Sequence, residues 1–285
     1  MKINSISPLE HPYTQIIGTI AKVPKRLTYM GALPETRLPT IAIVGTRKPS
    51  SYGIEITEKL AYELASRGVV IISGLALGVD ALAHKAALEA RGTTLAVLAN
   101  PLPTIQPRSN QGLGERILQQ GGAILSEQEE GYKLGKWSFL ERNRIVAGLA
   151  DAVLITEAAA RSGSLNTAMY ALEQGKEVFV VPGNITSPLS AGCNALLRQG
   201  ATPITSAEDI LEIIAPDSLR QQTSLVLGAN EQEAAILKLL HEGIRDGEEI
   251  QRTTGMSAQD LSMALTMLEI SGNVRALGAN QWTAR

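Results

Sequence analysis

The sequence predicts an α/β fold, in which a doubly wound, mostly parallel sheet precedes a small C-terminal domain. Short apolar runs alternate with helical segments from Ile41 to about Ala201. The runs are apolar throughout, as expected for strands that are covered by helices on both faces of a sheet. Several helical segments end in a glycine just before the next run, which is a common residue after a helix C-terminus. Together these patterns predict a parallel sheet with crossover helices.

The predicted elements follow one another in a regular order. The strands are 41–44, 69–72, 94–98, 123–125, 152–155 and 178–181. The helices are 52–67, 78–90, 112–120, 139–149, 164–174, 191–199 and 206–214. The last helix begins with a capping box, formed by Ser206 and Asp209 three residues later. Residues 41–215 are therefore predicted to form one Rossmann-like domain.

The remaining parts of the chain have different patterns. Residues 1–40 are rich in proline and lack a long periodic segment, so we expect an extended arm with a short helix near 14–20. Residues 216–229 are polar at first and are predicted to be a linker. Residues 230–285 contain three helical segments, 231–241, 246–253 and 257–271, and two β-prone pieces, 273–277 and 281–283. Three helices followed by a hairpin predict a winged-helix domain.

Composition and charge exclude several classes of function. The formal net charge of −2 gives no global attraction to nucleic acid or to an anionic membrane, so anion binding requires a local cluster. A single cysteine, Cys193, excludes an internal disulfide, and the three histidines lie far apart in sequence. The start has no signal-peptide pattern, and no apolar stretch is long enough to span a bilayer. We therefore expect a cytoplasmic protein without a metal, a cofactor or a membrane segment.

The loop after the first predicted strand is a candidate anion site. The strand ends at Gly45, and the loop that follows contains the adjacent cations Arg47 and Lys48. In doubly wound sheets, ligands bind beyond the carboxyl ends of the strands. Cations, hydroxyl groups and free backbone N–H groups favour an anionic ligand, although an ordinary surface loop often carries a basic residue too.

Two further loops follow the second and third strands. Ser73, Gly74 and Gly78 lie just before a helix, where backbone N–H groups can approach a phosphate. This loop is neither a Walker A loop nor a G-x-G-x-x-G fingerprint, so helix capping and tight packing are the alternative interpretation. Arg108, after the third strand, is either a ligand contact or a solvated side chain.

The segment 136–145 is the most unusual stretch of the chain. Lys136 and Phe139 precede Arg142, Asn143 and Arg144. Lysine and arginine bind phosphates, and an exposed aromatic ring can stack on a base. The alternative is that Phe139 lies in the core and the arginines form surface ion pairs.

The loop after the fifth strand adds a cation and small residues, Arg161, Ser162, Gly163 and Ser164. If the strand order is regular, all these loops lie at one edge of the sheet. No Ser-His-Asp arrangement or pair of acid/base carboxylates stands out, so we predict no catalytic residue and no enzymatic activity. Glu157 is the one carboxylate at a strand end that could act in a base-excising or glycosidic reaction.

Five stretches of the chain together resemble the DprA/Smf family of DNA-processing proteins. They occur in the family's order, namely VGTRKPSSYG (44–53), SGLALGVDALAH (73–84), FLERNRIVAGL (139–149), EAAARSGSLNTA (157–168) and VPGNITSPLSAGCNALLRQGA (181–201). The resemblance implies a non-enzymatic homodimer that binds single-stranded DNA, protects it during natural transformation and hands it to the RecA recombinase. It also implies dimerisation near residues 194–214.

The resemblance also implies roles for individual residues. Arg47, Phe139, Arg142 and Arg144 match the motifs that contact DNA, and the loops 73–78 and 162–164 would add backbone contacts to phosphates. Many members begin with a SAM-like domain, for which residues 1–40 leave no room, and Gln106 stands where the family often has tyrosine.

Two alternatives remain open from the residues themselves. A nucleoside-monophosphate phosphoribohydrolase on a similar fold would use Glu157 and Arg161, but its P-G-G-x-G-T-x-x-E motif is missing. A protein-binding module is the other alternative, and it is supported only by the winged-helix domain. That domain is acidic, and its third helix lacks lysine and arginine, so we expect it to contact protein rather than DNA.

Overall fold

The computed structural model describes residues 2–216, 231–241, 243–271, 273–278 and 280–284. The chain divides into two compact units, Met1–Pro216 and Asp217–Arg285. Apart from Pro216, the predicted linker 216–229 lies outside the described residues.

The first unit is built on a nine-stranded, mostly parallel sheet. Its strands are β1 (Asn4–Ile6), β2 (Leu27–Gly31), β3 (Thr40–Val44), β4 (Val70–Ser73), β5 (Thr94–Leu98), β6 (Ala123–Ser126), β7 (Ala152–Ile155), β8 (Glu177–Val180) and β9 (Thr202–Pro203). Strands β3 to β8 correspond to the six predicted strands. Nearly all of their residues are buried, which confirms that helices cover both faces.

The strand order is β1-β2-β6-β5-β4-β3-β7-β8-β9. From β3 the chain first moves to one side through β4, β5 and β6, and then returns to the other side with β7. The direction of winding therefore reverses between β3 and β7, where ligands bind in open α/β sheets. The carboxyl ends of β3 to β9 define one edge, which we call the carboxyl edge.

Seven helices surround this sheet in the described part of the first unit. They are α1 (Ser51–Ser66), α2 (Val79–Glu89), α3 (Gln111–Gln119), α4 (Lys136–Leu149), α5 (Ser164–Glu173), α6 (Ala191–Arg198) and α7 (Ala207–Ile214). The predicted capping box of Ser206 with Asp209 is present, and Ser50 also caps α1 by accepting from the Gly53 backbone N–H. Helix α4 begins at Lys136, three residues before the predicted start.

The first forty residues differ from the predicted extended arm. They contribute two strands, of which β2 pairs antiparallel with β6 and extends the sheet. Tyr13, Ile17 and Leu27 are fully buried, and the Tyr13 hydroxyl lies 2.9 Å from Thr40 Oγ1. The predicted short helix is a 3-10 turn at Gln15–Thr19. This segment is therefore part of the core of the first unit.

The second unit has the predicted winged-helix pattern. Its helices are α8 (Glu231–His241), α9 (Gly247–Thr254) and α10 (Ala258–Ile270), and its hairpin strands are β10 (Val274–Gly278) and β11 (Gln281–Ala284). Ile236, Ile250 and Leu268 are fully buried in a shared core. Among the described residues, no helix combines the length and apolarity that a membrane crossing requires.

Candidate nucleic-acid interface

The predicted site residues come from loops that follow neighbouring strands. Strands β6, β5, β4, β3 and β7 are adjacent and parallel, so the loops that follow them meet at the carboxyl edge. This edge carries the predicted cations that are exposed, namely Arg47, Lys48, Arg108, Lys136 and Arg161. A local cationic surface is therefore present on a chain whose net charge is negative.

Arg47 and Phe139 lie at the centre of this edge. The Arg47 Cζ atom is 5.6 Å from the centroid of the Phe139 ring, which is within the range of a cation–π contact. Both residues line a pocket of about 140 Å³, together with Leu98, Pro107 and Arg142. The half-buried ring and the exposed guanidinium thus present an aromatic face and a positive charge side by side.

The loop that carries Arg47 is held from both sides. The Val79 N–H donates to the Thr46 carbonyl at 3.2 Å, and the Thr46 N–H donates to the Glu157 carbonyl at 2.7 Å. Gly78 has a φ of +78°, and a Cβ atom there would collide with the backbone of Thr46 and Arg47. The loop conformation is therefore fixed, and the Arg47 side chain projects from a rigid base.

The Ser73–Gly78 loop uses its polar groups within the protein. Ser73 Oγ donates to the Ile43 carbonyl at 2.7 Å, and the Gly74 N–H donates to Asp80 Oδ2 at 3.0 Å. Burial raises the pKa of Asp80, and the nearby Arg142 charge opposes that rise. The Ser73 hydroxyl and the Gly74 N–H are thus engaged, which favours the packing interpretation for these two residues.

Arg142 lies beneath the loops instead of projecting from them. Its Nη1 donates to the Gly74 carbonyl at 2.6 Å and to the Val97 carbonyl, and its Nε donates to Asn143 Oδ1 at 3.2 Å. The side chain is buried, and this burial lowers the pKa of Arg142. Asn143 in turn donates to the Gly163 carbonyl at 3.4 Å.

Arg144 is also buried, and its Nη2 forms an ion pair with the Glu127 carboxylate. The guanidinium groups of Arg142 and Arg144 therefore bind oxygens of the protein itself, which differs from the predicted contact with phosphate. Both side chains connect α4 to the strand ends and loops that surround the site.

The 162–164 loop lies partly at the surface, because Gly163 is exposed, Ser162 is half-buried and Ser164 is buried. The hydroxyl oxygens of Ser162 and Ser164 lie 2.7 Å apart, and a Cβ atom on the exposed Gly163 would have no atom within 4 Å. The loop follows Arg161 directly, so a cation and an open backbone stand next to each other at the end of β7.

Glu157 has a structural partner on the adjacent loop. Its Oε2 accepts from the Ser50 N–H at 2.8 Å, and its Oε1 accepts from the Ser50 hydroxyl at 2.6 Å. The side chain is buried, and it fixes the start of α1. The described residues contain no cluster of three or more His, Cys, Asp or Glu side chains that could hold a metal ion.

Sequence reasoning missed the buried residues that support the loops. Besides Glu157 with Ser50, these are Asp80 and Asn110, whose side-chain amide donates to the Leu75 carbonyl at 2.9 Å. Leu75 has a positive φ of 56°, which is uncommon outside glycine. Asp80 lies near the start of the predicted helix 78–90, and Asn110 lies just before the predicted helix 112–120. A polar residue at such a position was the only sequence signal for their supporting role.

The winged-helix unit presents a different surface. On its third helix, α10, Met263, Met267 and Ile270 are exposed. They are spaced so that they share one face of the helix. The helix contains no lysine or arginine. This face is therefore apolar and carries no positive charge.

The fold defines a class of protein, namely Rossmann-like proteins with an appended winged-helix domain, and this chain carries exposed cations at the carboxyl edge of its sheet. Residues 4–215 match the family described as DNA recombination-mediator protein A, and residues 220–280 match the DprA winged helix domain. The chain belongs to this family, the DprA/Smf family.

Several curated relatives share substantial identity with the chain. It is 47% identical over 198 residues to Protein Smf of Escherichia coli, which covers 70% of this chain and 53% of that protein. It is 44% identical over 172 residues to the DNA processing protein DprA of Bacillus subtilis, covering 60% of this chain and 58% of that protein. The chain therefore spans little more than half the length of these relatives.

Two solved structures are similar over three quarters of the chain. DprA from Streptococcus pneumoniae is 39% identical, with a TM-score of 0.69 and 75% of each chain covered. DprA from Helicobacter pylori is 34% identical, with a TM-score of 0.67, covering 76% of this chain and 97% of that one. The latter structure is described as giving insight into a single-stranded DNA binding mode of the H. pylori protein.

Proposed function

We propose that this chain is a single-stranded-DNA-binding mediator that protects incoming DNA and loads RecA in natural transformation. It acts as a homodimer and catalyses no reaction. The observation that carries the proposal is the exposed Arg47 guanidinium beside the Phe139 ring, at the centre of a cationic carboxyl edge. Membership of the DprA/Smf family and the ssDNA binding described for the H. pylori relative support it.

The geometry suits a polymer of phosphates better than a single nucleotide. Arg47, Lys48, Arg108, Lys136 and Arg161 follow four of the five adjacent strands from β6 to β7, namely β6, β5, β3 and β7, and neighbouring strands lie about 4.8 Å apart in a sheet. These loops thus extend over roughly 19 Å, the width of four strand spacings. A row of this length neutralises several successive phosphates without reading base edges, so binding is independent of sequence.

The buried arginines contribute indirectly to this function. Arg142 fixes the ends of β4 and β5, and Arg144 fixes the loop after β6 through Glu127. The exposed cations therefore stand on loops whose positions are set before DNA binds, which lowers the entropy cost of binding.

Fluorescence anisotropy with labelled single- and double-stranded oligonucleotides tests the proposal. The logarithm of the affinity for single-stranded DNA should fall with log salt at a slope of about −0.7 per phosphate neutralised. Arg47→Ala should weaken binding roughly five- to tenfold at about 0.1 M salt, equally for all base sequences, since one phosphate contact is lost. Unchanged affinity in this variant would refute the claim that Arg47 contacts single-stranded DNA.

Arg116→Ala is the matched control. Arg116 is an exposed arginine in the last turn of α3, away from the carboxyl edge, so this variant should bind like the wild type. Equal weakening in both variants would indicate a diffuse effect of charge and not a defined site.

Two further experiments address the partners and the alternative function. Light scattering tests the homodimer, and RecA filament formation on DNA coated with single-strand-binding protein tests loading. Release of free base from a nucleoside monophosphate would favour the enzymatic alternative. Both Glu157 oxygens already accept hydrogen bonds from Ser50, which argues against a catalytic role for this carboxylate.

A further inference from the structure

The segment 131–137 projects into solvent over its whole length. It connects β6 to α4, and each of its seven residues is exposed. Trp137 is the extreme case, because 76% of its surface is accessible. Tryptophan side chains are highly buried on average, so an indole at this level of exposure suggests a ligand-binding role.

This segment lies directly beside the proposed DNA contact. Trp137 is the second residue of α4, and Phe139 follows two residues later, about 3 Å further along the helix axis. Both therefore lie at the end of α4 that faces the carboxyl edge. At i and i+2 the two side chains point to different sides of the helix, so a strand held at Arg47 and Phe139 reaches the indole by crossing the first turn of α4.

Hydrogen bonds hold the segment against the helix. The Tyr132 hydroxyl lies 2.8 Å from Ser138 Oγ, and the Gly135 N–H donates to the same oxygen at 3.0 Å. Ser138 itself is buried. The segment that leads to the indole is thus fastened to the start of α4.

Charge changes sign along this part of the chain. Glu129 and Glu130 are exposed immediately before the segment, whereas Lys133 and Lys136 are exposed within it. Trp137 lies next to Lys136, at the basic end. Aromatic side chains interleaved with lysines are typical of surfaces that bind single strands, where bases stack and phosphates pair with cations.

We propose that segment 131–137 is a second contact for single-stranded DNA, in which the Trp137 indole stacks on a nucleobase. Lys133 and Lys136 bind the phosphates on either side of that base. This inference rests on the proposed function and extends the site from Arg47 and Phe139 towards β6. A protein partner is the competing occupant of an exposed tryptophan, and the adjacent cationic edge favours DNA.

Tryptophan fluorescence tests the proposal directly, because the chain has only two tryptophans, Trp137 and Trp282. The Trp282 indole nitrogen has no hydrogen-bond partner among the described residues, so Trp282→Phe leaves Trp137 as the sole reporter without removing a hydrogen bond seen there. Oligothymidine should quench the fluorescence of this variant. An abasic oligomer of the same length has the same phosphates and no bases, and it should bind with little quenching.

Affinity measurements supply the second readout. Trp137→Ala should bind oligothymidine roughly 5- to 150-fold more weakly, which is the range for loss of one base–aromatic stack. The variant should bind the abasic oligomer like the wild type, and Trp137→Phe should recover much of the lost affinity. Since the indole is exposed, the substitution leaves the fold intact.

The outcomes separate the two proposals. If wild type binds oligothymidine and Arg47→Ala weakens binding, but Trp137→Ala binds like wild type, the second contact is wrong and the proposed function stands. Equal quenching by the abasic oligomer would also overturn the stacking. If the wild type binds no single-stranded DNA, both proposals are refuted.

Discussion

Replacing Arg142 with methionine separates a structural role from direct contact with DNA. In the structure, Arg142 Nη1 is the donor to two carbonyls, those of Gly74 and Val97, which lie at the ends of β4 and β5. Methionine has a similar length and no donor. Arg142→Met therefore leaves both carbonyls, which belong to buried residues, without this partner.

The size of the effect follows from these two carbonyls. A buried acceptor without a partner costs about 1–3 kcal/mol, so two cost roughly 2–6 kcal/mol. Removing the guanidinium relieves its own desolvation but also takes the nearby positive charge away from the buried Asp80 carboxyl, so these two effects oppose each other. We expect a net loss of about 2–4 kcal/mol in the free energy of unfolding. For a chain of this size, this corresponds to a fall in Tm of about 4–16 °C.

Calorimetry and DNA-binding measurements together show whether Arg142 has a structural role or contacts DNA directly. Arg142→Met should lower Tm and should weaken DNA binding only through the altered loops, whereas Arg47→Ala should weaken binding at an unchanged Tm. If Arg142→Met kept the wild-type Tm and lost DNA affinity, the arginine would contact DNA itself. A buried hydrogen-bonding role for Arg142 would then be wrong.

Two further predictions concern stability away from the carboxyl edge. Lys176→Met should lower the free energy of unfolding by about 2–3 kcal/mol in urea titrations without changing DNA affinity. The reason is that Lys176 Nζ donates to three carbonyls at the end of α4, those of Ala147, Gly148 and Ala150. Burial lowers the pKa of His84 from 6.5 to about 3, so the native state binds fewer protons than the unfolded chain between these values. The stability from the neutral imidazole is fully present above pH 6.5 and is lost at about 1.4 kcal/mol per pH unit as the pH falls towards 3. Urea titrations of the wild type and His84→Gln from pH 7 to 5 should show that the free energy of unfolding of the variant lacks the pH-dependent loss due to His84. If the free energy of unfolding changed with pH in the same way in both proteins, this assignment to His84 would be contradicted.

The sequence predicted the central sheet well because each strand is a continuous apolar run with helices on either side. It did not predict β1 and β2. These strands span three and five residues, and they lie in a proline-rich segment without regular alternation. Their place in the sheet comes from pairing of β2 with β6, almost a hundred residues away, which local patterns cannot reveal.

The clustering of exposed cations at one edge was predictable in outline for a similar reason. Exposed cations such as Arg47 and Arg161 lie in loops, and the parallel order of the strands brings loops to one edge. The burial of Arg142 and Arg144 was not predictable from their own segment. It depends on partners from other loops, the Gly74 carbonyl for the first and Glu127 for the second, and no local pattern signals those contacts.

Gly78 and the Glu157 carbonyl hold the backbone of the Arg47 loop in place. For this reason, substitutions of surface cations and substitutions of Gly78 should have different effects. Substitution of an exposed cation on the carboxyl edge alters the charge of the proposed DNA contact and leaves the backbone beneath it unchanged. Substitution of Gly78 would displace the backbone of Thr46 and Arg47 and so move the charge itself. If the edge binds DNA as proposed, substitutions of single cations change affinity in small steps, whereas a substitution at Gly78 changes the position of the Arg47 contact.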